Sequence, residues 1–364
     1  MNVSVKGNEQ ITKLLNDWYQ EIRTQHVIKA TQLKKELDER IHTIEEDQNL
    51  LLYYSLLDFR YRVLTDGFSI SKNSFDKIES FTTPTDNFLA YYYHFFKAVH
   101  STILTNYNEA RKHYEKAESL LENVSDEVEH AEFNYRVASF YYQMYQPLLA
   151  IQYANKANEI FSKHEGYEVN VALCENVLGL SCSELKQHEQ AEEYFTSAIN
   201  ILQKEGNETL TLRVRHNLGL LYASQNLSPL AIRHLSEVSI KIPNHFKSIF
   251  IEAREHYKLG ALEKARELIE TGLKICGELE NDEYKHHFLI LNALCQFSTV
   301  ENIEKVVLEG IPCFERENLV EYVQEYSEML AMEFHKKGNI EQAEKYFHKA
   351  YEIRQKLLEK GALK

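Results

Sequence analysis

Glycine and proline are scarce, 12 and 5 among 364 residues. Both interrupt helices, so the shortage excludes a turn-dense chain and suits one that is helical almost throughout. Cysteine is also sparse. The odd, scattered set Cys174, Cys182, Cys276, Cys295 and Cys313 gives no disulfide framework and fits buried thiols in a reducing cytoplasm. No apolar run is long enough to span a bilayer and no signal-peptide core opens the chain, so the expected location is cytoplasmic, with no membrane partner. Basic charge is short: 41 Lys and Arg face 55 Asp and Glu, a formal net charge of −14. Such a surface is a poor partner for nucleic-acid phosphates or anionic lipid. Catalytic signatures are missing as well: no CxxC, GxSxG, GxxxxGK[ST], GxGxxG or HExxH occurs. The 16 histidines include adjacent His286 and His287, which diverge on a helix, and Cys174 and Cys182 are spaced for neither zinc nor redox chemistry. No metal site is expected in this chain.

What the sequence does contain is a repeat. An Ala, an aromatic three or four positions on and a small residue at the seventh recur as Ala110/Tyr114/Ala117, Ala150/Tyr153/Ala157, Ala191/Tyr194/Ala198 and Ala343/Tyr346/Ala350. Ala231/Val238 and Ala265/Gly272 are looser copies, and a degraded one is expected near Ile303 and Val306. Small residues at i and i+7 share a helical face and let neighbouring helices approach closely. Most copies follow a break such as Gln146–Pro147, Lys186–Gln187 or Lys337–Gly338, and another helical pattern precedes each break, as in His216-Asn217-Leu218-Gly219-Leu220-Leu221-Tyr222. A helix–turn–helix unit stacked on itself, of the tetratricopeptide kind, accounts for this, because no single unit can bury its own apolar face.

Taken in order, residues 11–28 show helical periodicity around Trp18, a second helix runs from 30 into the mid-40s, and a third spans 45–65. The fold class is all-α: an N-terminal three-helix bundle (1–66), a linker (67–87) and a tetratricopeptide-repeat superhelix (88–364). The linker is rich in Ser, Thr, Asn and Asp, with a short helix near 75–81. The aromatic helix 88–100 begins the repeats, residues 125–146 supply the next inner helix, and 360–364 form a frayed tail. On the third helix Gln48, Leu51, Ser55, Phe59, Arg62 and Asp66 fall in one stripe. That stripe is the polar one, which sets Leu51 and Phe59 beside an amide: either they flank it on a docking face, or, as periodicity alone favours, they pack against the repeats and leave Gln48 a solvated surface amide. The acidic run Glu45-Glu46-Asp47 complements the helix macrodipole.

The run EEDQNLLLYYSLLDFRYR, with Asn16-Asp17-Trp18-Tyr19 upstream and Ala131-Glu132-Phe133 downstream, resembles the Rap family of response-regulator aspartate phosphatases. The likeness covers essentially the whole chain. It departs from the family signature mildly, with Asn49 where Asp is common and a shorter linker. The resemblance implies a phosphatase that engages a phosphorylated receiver domain of a sporulation phosphorelay. A glutamine matching Gln48 would position the water that attacks the aspartyl phosphate, as carboxamides do in GTPases. The divalent cation, Mg, would be carried by the partner, and this chain would need no cofactor. Glu46, Asp47, Leu51 and Phe59 would frame the docking site, with Phe88, Asp126, Glu129 and Tyr167 matching contact positions further along. A short inhibitory peptide would bind in the repeat groove, where Asn217, and more loosely Asn176, would pair with its backbone.

Two other classes remain open at this point. Some relatives are non-enzymatic antagonists that sequester the DNA-binding domain of a response regulator, and retaining Gln48 does not exclude that role. A peptide-gated transcription factor is disfavoured, because residues 1–70 carry nine basic against eleven acidic side chains and no basic recognition helix.

Overall fold

The structure is a computed structural model and describes residues 9–41, 47–82, 86–296 and 299–362. Among these every element is helical. The first helices are α1 (Glu9–Arg23), α2 (Val27–Arg40), α3 (Gln48–Thr65) and the single turn α4 (Asp76–Glu79). Then come α5 (Asn87–Ile103), α6 (Tyr107–Leu121), α7 (Glu127–Gln143), α8 (Pro147–Phe161), α9 (Glu168–Glu184), α10 (His188–Lys204) and α11 (Glu208–Ser224). The series ends with α12 (Ser228–Lys241), α13 (Phe246–Lys258), α14 (Leu262–Glu278), α15 (Asp282–Cys295), α16 (Val300–Arg316), α17 (Val320–Lys336) and α18 (Ile340–Ala362). The chain divides into two compact units, Met1–Val214 and Arg215–Lys364, so the division falls inside α11. No described helix is long and apolar enough to cross a membrane.

The small-residue pattern marks the second helix of each hairpin. Ala110, Ala117, Ala150, Ala157, Ala191, Ala198, Ala231, Ala265, Ala343 and Ala350 are all buried. The degraded copy proves to be Ile303, Val307 and Gly310 on α16, all buried, with the same i, i+4, i+7 spacing. Close approach is needed from the first helix too. A Cβ on Gly179 would lie 2.7 Å from the Phe195 ring, and one on Gly219 would lie 2.6 Å from Leu235. The breaks between helices share one geometry. Thr105, Tyr145, Lys186, Asn226, Glu280 and Asn318 adopt φ between +52° and +60°, and the next amide reaches back five residues, as Gln146 N–H does to the Tyr141 carbonyl at 2.9 Å. This closes the helix C-terminus. Among the described residues, non-glycine residues bear that left-handed φ seven times, Gln25 between α1 and α2 included, a strain the packed helix pairs hold in place.

In the first unit, α1–α3 pack into the same apolar core as α5, α6 and α7. The expected boundaries at residues 66 and 87 therefore mark no gap in packing. The expected linker is part of that core: Ile70, Phe75 and Ile78 are buried, over a 3-10 turn at Lys72–Phe75 and α4. The first helix is shorter than its periodicity suggested, since the chain turns at Gln25 (φ +63°) and Thr24 Oγ1 donates to the Gln20 carbonyl at 3.0 Å. The C-terminal tail is less frayed than expected, for α18 runs to Ala362. In the second unit, buried residues from α15, α16, α17 and α18 form a continuous core. All five cysteines are buried thiols.

Candidate functional site

α3 begins at Gln48 because Asp47 caps it: its side chain accepts from the Leu50 amide at 3.0 Å. Gln48 is exposed in the first turn, next to exposed Asn49, and Leu51 is half-buried. The remainder of α3 is sunk in the core through Leu50, Leu52, Tyr53, Leu56 and Leu57. The amide is thus offered to solvent on a rigid helix end, where backbone N–H groups and the helix dipole favour an anion. Glu46 lies outside the described residues.

The proposed solvent stripe of α3 does not hold along its length. Phe59 is 1% exposed and Ser55 is buried. Phe59 meets Phe75 and His100 edge-on, at centroid distances of 5.1 and 5.7 Å. The segment after α3 folds back over this face, fixed where the His100 Nε2 sits 2.9 Å from the Ser71 carbonyl. Phe59 therefore cannot touch a partner directly and instead supports α3 from below. Phe88 is half-buried and packs edge-on against Tyr92 at 4.7 Å.

Three of the other expected docking positions are engaged within the chain. Glu129 is 0% exposed and accepts from Tyr19 (2.9 Å), Tyr91 (3.0 Å) and Tyr92 (3.2 Å), with Arg23 Nη1 at 3.3 Å. Asp126 caps α7 through the Val128 amide and takes Arg23 Nη1 at 2.9 Å. Tyr167 is buried, and its hydroxyl accepts from Gln20 Nε2 at 2.8 Å. The direct docking role expected for Glu129 and Tyr167 is thus corrected: burial leaves them no surface for a partner, and they tie α1 to α7 and α9. Burial pushes the Glu129 carboxyl above its ordinary pKa, opposed by Arg23, and pushes the three tyrosines up as well. A second buried cluster joins α3 to α7. Arg60 Nη2 and Arg136 Nε both donate to Glu132 Oε1, at 2.8 and 3.0 Å. Despite burial, these two guanidiniums hold the Glu132 carboxyl below its usual range. Sequence reasoning assigns no site role to Arg23, Tyr19, Arg60 or Arg136. The available signal is Arg60 at the end of the apolar run of α3 and the acids Glu129 and Glu132 inside the helical pattern of α7.

Asn217 lies half-buried on α11. Its neighbour His216 bonds the Ser248 hydroxyl through Nδ1 at 2.7 Å, which ties α11 to α13. Asn176 is buried on α9 rather than a surface amide.

Residues 5–66 match the family described as response regulator aspartate phosphatase H, N terminal. Tetratricopeptide repeats are matched over 129–204, 178–239 and 325–357. Response regulator aspartate phosphatase A of Bacillus subtilis (strain 168) is 30% identical over 95% of this chain and 94% of its own length. The chain belongs to the Rap family. The regulatory protein RapF of the same strain is 28% identical over 96% of each chain. Among solved structures, a Rap protein complexed with Competence and Sporulation Factor superposes with a TM-score of 0.78 at 27% identity, covering 96% of this chain and 99% of that one. The apo form of RapI gives 0.72 at 28% identity, covering 96% and 99%. The Rap pairing of an N-terminal helical region with repeats is thus present over nearly the full length, and Gln48 lies inside the family-matched segment.

Proposed function

We propose that this Rap protein hydrolyses the aspartyl phosphate of a response-regulator receiver domain, and that a short peptide in its repeats inhibits it. The observation that carries the reading is Gln48, exposed in the first turn of a helix whose following residues are buried. An acyl phosphate is already reactive, so in-line attack chiefly requires a water held in place. A carboxamide can donate to and accept from that water, while the positive end of α3 faces the phosphoryl oxygens. The receiver domain supplies the Mg ion, which neutralises charge on the phosphoryl group. Asp47 holds the helix start, and Leu51 lies one turn behind Gln48 as an apolar docking contact. The peptide half of the reading rests on Asn217 and Asn176 and on the solved Rap relative complexed with Competence and Sporulation Factor. The test is phosphate release from labelled receiver domains. Gln48→Ala should abolish the acceleration while receiver binding persists. If the unaltered protein gives no acceleration over the receiver alone, the chain is the non-enzymatic antagonist of a DNA-binding domain instead, and the enzyme reading falls.

A further inference from the structure

A pocket of about 890 Å³ opens in the first unit, away from Gln48. The α1–α2 turn, the end of α3, α7, α9 and the start of α11 line it. Its chemistry is lopsided at depth. Arg60, 1% exposed, and Arg136 line it together and share the single carboxylate of Glu132. Both reach the same oxygen, Oε1, leaving Glu132 Oε2 buried without a partner, so buried Arg60 and half-buried Arg136 face one anion. Arg60 has two more nitrogens, Nε and Nη1, that are buried and have no hydrogen-bond partner. A guanidinium carries five N–H donors in a planar fork that matches a carboxylate, and buried donors left unmade are costly. Burial and neighbouring Arg136 lower the Arg60 pKa, against the opposing pull of Glu132. Arg213, exposed, lines the same pocket. Glu205 and Glu208 also border the pocket, so the excess of positive charge lies at the buried end, not around the mouth.

The rest of the lining is mixed: Gln25, Lys29, Thr65 and Asn207 are polar, and an apolar wall lies beside the arginines. Leu64 and Leu173 flank the arginines, and Ile28, 77% exposed, stands with Val27. A lone inorganic ion needs far less room, for the volume lies in the upper part of the range of about 300–1,000 Å³ occupied by organic ligands. We propose that this pocket is a carboxylate subsite for a short peptide. The terminal carboxylate pairs with Arg60 and Arg213, and the last side chain lies against Leu64 and Leu173. The inference rests on the peptide-receptor reading above and adds to it a requirement for a free acidic end.

The experiment uses the full chain and two pentapeptide pools of identical composition, one with free C-terminal carboxylates and one amidated, compared by equilibrium dialysis and mass spectrometry. The acid pool should be retained roughly tenfold or more above the amide pool, the effect of a charge-assisted contact. Arg213→Ala, at an exposed position, should narrow that ratio to about twofold. Arg60→Met should abolish it, with helicity checked by circular dichroism. Equal retention of the two pools overturns the subsite and leaves the peptide receptor standing. Retention of neither pool removes the receptor reading itself. If inorganic phosphate or succinate displaces the acid pool at equal concentration, the site takes any small oxyanion and the peptide assignment falls.

Discussion

Glu129→Gln is the most informative single change, because it separates two roles for one buried carboxylate. The substitution keeps volume and removes charge. In the structure that charge faces Arg23 Nη1 at 3.3 Å and accepts three tyrosine hydroxyls between 2.9 and 3.2 Å. Breaking a buried pair costs about 3–5 kcal/mol. Arg23 keeps Asp126, the amide oxygen still accepts from tyrosine, and burial already holds the Glu129 carboxyl above its ordinary pKa, so the cost falls below that range, to about 1.5 kcal/mol. The reporter is at hand, for Trp18 is the only tryptophan and sits fully buried on α1. Urea unfolding followed by its fluorescence should therefore move to a lower midpoint. With a slope near 3 kcal/mol per molar for a unit of this size, the shift is on the order of 0.5 M. A midpoint unchanged within about 0.2 M would refute the reasoning. Unchanged unfolding together with lost receiver-stimulated phosphate release would instead return Glu129 to a docking role.

Asn217→Ala should leave phosphate release from a labelled receiver intact while removing its inhibition by peptide; retained inhibition would move the peptide contact elsewhere. Gly179→Ala gains helix propensity but drives a Cβ to 2.7 Å from the Phe195 ring, so thermal unfolding should show a net loss of about 1–2 kcal/mol rather than a gain. Burial, with Arg254 and His286 adding, lowers His287 to about 3, and burial with His245 lowers His216 to about 3. Their folded pKa values lie below the unfolded value near 6.5, so the unfolded chain binds the extra protons and stability is lost as pH falls through that window. The loss is up to about 1.4 kcal/mol per pH unit for each group. His287→Phe should make the stability–pH slope between pH 6 and 4 shallower by up to that amount in urea titrations followed by circular dichroism, and an unchanged slope would refute the assignment.

Local sequence determined the elements. Period and small-residue spacing located the hairpins from Ala110 to Ala350, because close helix approach needs small side chains at fixed steps regardless of what lies beyond the pair. The start of α3 was legible only to within a turn: periodicity carries the third helix back to residue 45, whereas Asp47 caps it and its first turn begins at Gln48. What covers the stripe on α3 is not legible in the sequence, for a physical reason. Helical phase fixes which residues share a face, but not what covers that face, and residues 70–78 return to bury Phe59. The fate of Glu129, Glu132, Tyr167 and Arg60 was likewise beyond the sequence. The bonds that join α1 and α3 to α7 and Tyr167 span 72 to 147 positions, and only the tertiary packing of α1 and α3 on α7 and α9 brings these groups within reach of one another.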